Sequence, residues 1–145
     1  MRFLLKHLLT IILAIIVYPT LYFLAGYYIA WQSETIRFFY TGSGEMASFF
    51  SIMQENFRSG LVYFQFLRGF LWLSIGWVIF HMLKGSKYEK ALIIGLLFAM
   101  IMNTQHLIPN PYMPSEVSTY HFIETASSNF VWGFLIAIVL AYQKE

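Results

Sequence analysis

The side chains best suited to chemistry lie close together near the start of the last apolar stretch. His121-x-x-Glu124 puts an imidazole and a carboxyl on one face of a helix, and Ser128 falls on the same face one turn further on. The preceding apolar stretch carries Asn103, Gln105 and His106, the last one adds Asn129, and Arg68 stands alone in another.

Four kinds of chemistry fit these types. The simplest is structural: an Arg68–Glu124 ion pair, with Asn and His side chains completing the hydrogen bonds, because a charge withdrawn from water needs a partner. Arg68 could instead snorkel to headgroups. A metal site would take His121 and Glu124 from one helix and His106 from its neighbour, a set suited to zinc with an open position or to non-haem iron. A di-iron bundle uses about four carboxylates, whereas here Glu124 has only Glu116 further out. A b-type haem protein would pair His106 with His121 at one depth and His7 with His81 at another. An enzyme acting on a lipid-linked or small polar substrate would hold a phosphate on Arg68 and move a proton through His121 and Glu124. Ser128 invites a nucleophile reading, but it stands a turn or more from His121.

The elements that must position these groups belong in a membrane. Hydrophobic residues make up 59% of the chain and charged residues 11%, against about a quarter charged in soluble domains. There is no Cys, which excludes disulfides, thiolate ligands and covalent haem attachment. Every acidic residue is Glu, and the net charge of +2 gives no reason to expect nucleic acid as a partner. Stretches 8–30, 61–83, 91–108 and 120–142 each approach the ~20 residues needed to span a bilayer. The predicted fold is all-α: one domain, 1–145, forming a four-helix transmembrane bundle. The first stretch exceeds a signal-peptide core of about 7–15 residues and reads as a retained span.

Arg2, Lys6, Lys84, Lys87, Lys90 and Lys144 fall on one side of these spans, and Arg37 and Arg58 on the other. The bias places both termini in the cytoplasm of a multi-pass cell-membrane protein and the polar cluster in the outer half. Pro19 is expected to kink the first span. In the outer loop, 32–60, Thr41-Gly42-Ser43-Gly44 breaks the chain. Met46, Phe49, Phe50, Met53 and Phe57 then recur at helical spacing, predicting a short amphipathic helix that lies on the bilayer or caps the bundle. The second outer loop is stiffened by Pro109, Pro111 and Pro114, and Ser115 with Glu116 suits a helix start.

Gly95 and Ala99, and Gly133 and Ala137, recur every four residues on the last two spans and predict a tight antiparallel hairpin or a seam with a partner. Trp72, Trp77, Trp132 and the seven Met read as packing. The expectation is a small polytopic membrane protein, a non-enzymatic subunit or accessory protein of a membrane complex. Its partners would be the bilayer and a membrane protein or second copy. An outer-face metal or catalytic site and a b-type haem protein are the alternatives, and no cofactor is assigned.

Overall fold

A computed structural model describes residues 7, 8, 10–12 and 16–144, and among them there is no strand. Arg2 and Lys6, two of the residues that orient the predicted spans, lie outside the described residues. The elements in chain order are α1 (Tyr18–Tyr28), a 3-10 turn (Ala30–Gln32), α2 (Glu34–Thr41), α3 (Ser48–Arg58), α4 (Leu61–Met82), α5 (Lys87–Ile101), a second 3-10 turn (Thr104–Leu107) and α6 (Ser115–Lys144).

Pro19 sits in the first turn of α1. The backbone just before it, Ile16–Val17, is wound as a π turn, and the Thr20 hydroxyl donates to the Ile16 carbonyl at 2.7 Å. α4 and α6 are long and apolar enough to cross a bilayer. α5 differs from its predicted extent. Its 15 residues rise about 22 Å, and the helix stops at Ile101 rather than continuing to 108.

The core forms where α5 and α6 meet. A Cβ on Gly133 would lie 2.9 Å from the Ile94 carbonyl oxygen, and one on Gly95 would lie 3.0 Å from that of Phe130. Ala99 and Ala137 are buried along the same contact. Ile94, Phe98, Trp132, Ile136 and Leu140 fill the seam, and α4 and α1 add Leu73, Phe80 and Tyr18. Gly76 brings α4 against Ile136, whose Cγ2 would stand 3.3 Å from an added Cβ. The outer faces of α4 and α5 carry no polar stripe. Phe64, Leu67, Leu71, Val78, Leu92 and Leu96 are all exposed.

α5 starts with a reciprocal cap. Ser86 Oγ accepts from the Glu89 N–H, and the Glu89 carboxylate accepts from the Ser86 N–H at 2.7 Å. Those bonds to the Ser86 backbone and hydroxyl hold the Glu89 carboxyl below its ordinary range. A folded-state pKa below the unfolded one stabilises above the unfolded value and is lost as pH falls through the folded one. Backbone protection at the start of α5, corrected for intrinsic exchange rates, should therefore fall as pH drops below the usual Glu range, and Glu89→Gln should abolish that dependence.

Filling the seam tests the close approach. Gly133→Leu should cost about 1–3 kcal/mol and lower the melting temperature in detergent. Ser127→Leu, on the exposed side of α6, should leave it almost unchanged.

Candidate functional site

α5 ends where Asn103 turns its side chain back on it. The amide nitrogen donates to the carbonyls of Ala99 at 2.8 Å and Phe98 at 3.3 Å, and Oδ1 accepts from the Asn129 amide at 3.2 Å. These carbonyls belong to the last turn, which has no intrahelical donor. Both Asn side chains are essentially inaccessible. Asn103 therefore closes α5 and ties it to α6, and the chain beyond it is free to turn outward. The Ser118 hydroxyl donates to the His106 carbonyl and holds the returning segment on α6.

One turn outward from this bridge lies a chain of three titratable groups. His121 Nδ1 is 2.9 Å from Glu124 Oε2, and Nε2 is 2.7 Å from the Tyr40 hydroxyl. Both imidazole nitrogens and the phenol are satisfied when Nδ1–H donates to the carboxylate and Nε2 accepts from the phenol. Glu124 is 4% exposed. Its Oε1 accepts no hydrogen bond among the described residues and faces Gly26 of α1, where an added Cβ would stand 3.2 Å away. Burial of the Tyr40 hydroxyl, and then the Glu124 carboxylate, raises the Tyr40 phenol above its ordinary range, so it remains a donor at neutral pH.

Tyr40 comes from α2, an element absent from the sequence prediction, which placed one helix in the outer loop. Its signals are present. The Ser33 side chain caps the start, Glu34 occupies the first turn, and Gly42 ends the helix at φ 66°. The helix is only eight residues long, about two turns, so periodicity alone does not reveal it. Arg37 fixes it in place by donating to the carbonyls of Trp31, Gln32 and Gly44. Thr35 donates to Glu116 of α6 at 2.9 Å.

α3 is the predicted amphipathic helix. Its Phe49 and Ile52 pack onto a second core of Ala30, Trp31, Ile36 and Val117, while Phe50 and Phe57 are exposed. Together α2 and α3 roof a cavity of about 290 Å³ between α1 and α6. Phe23, Trp31, Phe49 and Ile52 are among its walls, and Tyr40, His121 and Glu124 stand at one side.

The remaining predicted residues are placed differently. Arg68 and Glu124 do not pair within 4.0 Å. Arg68 approaches Gln65 Oε1 at 3.4 Å and lies 6.0 Å from the centre of the Tyr18 ring. Gln65, only 1% exposed, is a polar core residue of α4 that the sequence prediction left out of the cluster. Ser128 donates to the Thr125 carbonyl at 3.1 Å, so it is turned to its own helix and not to His121, whose two nitrogens are occupied.

The His106 ring centre is 5.9 Å from that of His121. Among the described residues, no three His or carboxylate side chains gather as a metal-ligand set. Gln105, His7 and His81 are exposed, and His81 Nδ1 pairs with the Trp77 carbonyl of its own helix at 2.8 Å. The proposed inner haem pair, His7 and His81, thus does not share an interior site.

Comparison with protein-family models, with curated proteins and with solved structures returns no match. The amide bridge carries its own test. Asn103→Leu leaves two carbonyls and the Asn129 amide without partners and should cost about 1–3 kcal/mol. Adding Asn129→Leu should recover part of that loss in the same thermal melt.

Proposed function

We propose that this chain is a four-span membrane protein that binds an amphiphile in the cavity roofed by α2 and α3. The single observation that carries the binding reading is the composition of that cavity. Aromatic and aliphatic side chains line it, and Tyr40, His121 and Glu124 converge at one side. Sites for small molecules have this build, with a mostly apolar surface and a few placed polar groups that fix orientation. The apolar part of the ligand would lie against Phe23, Phe49 and Ile52, and its polar end would meet the Tyr40–His121–Glu124 chain.

The four-span reading rests on more than helix length. α5 is short, but its exposed face is as apolar as that of α4, and the segment to Leu107 extends its reach. The basic bias puts residues 84–90 and both termini in the cytoplasm and the cavity at the outer face. Binding of this kind requires no turnover, so it suits an accessory subunit of a membrane complex. A metal or haem reading has less support, because His121 would have to give up a bond to Tyr40 or Glu124 to become a ligand.

Topology is testable directly, since the chain contains no Cys. Ser43→Cys and Tyr112→Cys should react with an impermeant maleimide from the outer side, and Ser86→Cys only after the cytoplasmic face is opened. Labelling of Tyr112→Cys together with Ser86→Cys would mean that α5 does not cross, and the four-span reading would fall. For the cavity, native mass spectrometry of the detergent-purified protein should reveal a retained amphiphile that is lost in Ile52→Trp, which fills the space from the roof. An equal load in both proteins, or none in either, would count against the binding reading.

A further inference from the structure

We infer that the ligand of this cavity is a bilayer amphiphile whose polar end is an uncharged hydrogen-bond donor, a hydroxyl, and whose chain leaves the cavity through the groove between α1 and α3. The inference rests on the binding reading above and adds the ligand's chemical class.

Charge selects the head. The cavity is lined by two acidic side chains, Glu124 inside and Glu55 at the roof, and by no Lys or Arg. Arg37 of the outer loop is spent on three backbone carbonyls, and Arg68 of α4 is turned to Gln65 and the Tyr18 ring. A carboxylate or phosphate head would therefore meet like charge with no basic side chain in the lining, which opposes binding.

Hydrogen bonding selects it further. Glu124 Oε1 accepts nothing among the described residues, while Oε2 is taken by His121. His121 Nε2 is already supplied by Tyr40. What the site lacks is a donor for Oε1, which has room on the cavity side to accept one from a ligand. A hydroxyl supplies that proton and carries no charge.

Volume selects the chain. At about 290 Å³ the cavity lies at the lower edge of the ~300–1,000 Å³ typical of ligand sites. It holds the head and the first part of a chain. The rest has an adjoining groove to enter. Phe23 and Phe49 also line a second groove of about 430 Å³ with Thr20, Leu24, Tyr27 and Phe50. Phe49 and Phe23 line both spaces, and the Phe49 ring is held edge-on by Tyr27 and Trp31 with ring centres 4.9 and 5.4 Å away. Leu24, Tyr28 and Phe50 on the groove side are exposed. In the four-span reading they face lipid, so the ligand arrives laterally from the bilayer.

The test is competition for a radiolabelled long-chain primary alcohol on the full chain in nanodiscs. The competitors are the unlabelled alcohol, its methyl ether and the carboxylate of equal length. The alcohol should compete at least tenfold better than either analogue. Gly26→Ser brings a hydroxyl of the protein's own to Oε1, where an added Cβ would stand 3.2 Å away, and should bring the alcohol down to the level of the ether.

Equal competition by ether and alcohol, tighter binding of the carboxylate, or an unchanged ranking in Gly26→Ser would overturn the hydroxyl assignment. The binding reading would survive that result if an amphiphile is still retained by the wild type and lost in Ile52→Trp. Phe49→Ala should speed exchange of the labelled alcohol without changing the ranking. Unchanged exchange would overturn the lateral path.

Discussion

With a Cβ on Gly133 only 2.9 Å from the Ile94 carbonyl oxygen, α5 and α6 have no freedom to slide or rotate against one another. That backbone contact fixes the register in which Asn103 meets Asn129, because both lie on the same seam, further out. The register in turn decides where α5 stops. An Asn at that depth can satisfy the terminal carbonyls from its own side chain, so the helix closes at low cost inside an apolar environment, where open carbonyls would otherwise be expensive. The glycine contact thereby creates the space beyond Ile101 into which the outer segments fold.

A second constraint is the burial of Glu124. Its carboxyl is 4% exposed and pairs with His121 rather than with the Arg68 that the sequence suggests. Arg68 belongs to α4, and its guanidinium is directed to Gln65 and the Tyr18 ring. His121 needs only the next turn of its own helix to reach Glu124, so no distant backbone has to be positioned. The chain then continues to Tyr40 on the roof, which links the stability of α2 to the site. Gly26 completes the arrangement by letting α1 come close enough to shut the carboxylate in.

Much of this is legible in the residues, and the illegible parts have physical reasons. The all-helical class follows from long apolar runs, and α3 from its aromatic spacing. His121 and Glu124 are found together because i, i+3 geometry is local. Tyr40 is not, because it is distant in sequence and sits on a helix too short to show a period, although Ser33 and Gly42 mark its two ends. The end of α5 is misjudged for a related reason. Apolar composition continues to Ile108, and only the side-chain return of Asn103 says where the hydrogen-bond ladder stops. The Arg68–Glu124 pair fails because depth along two helices says nothing about their relative rotation.

Depth along α6 also bears on what the site can hold. Its 30 residues extend about 45 Å, the thickness of a bilayer with its headgroup regions. Glu124 lies nine residues from Ser115, about 13 Å along the axis. If α6 spans symmetrically, about 7 Å of each end lies among headgroups, so the carboxylate stands roughly 6 Å inside the hydrocarbon boundary. A phosphate or ammonium head drawn to that depth would leave its solvation behind, whereas a hydroxyl exchanges one water hydrogen bond for one to Glu124. The roof of α2 and α3 stands over Glu124, and its Phe49 ring, with Phe23 of α1, lies between the cavity and the groove beside α1.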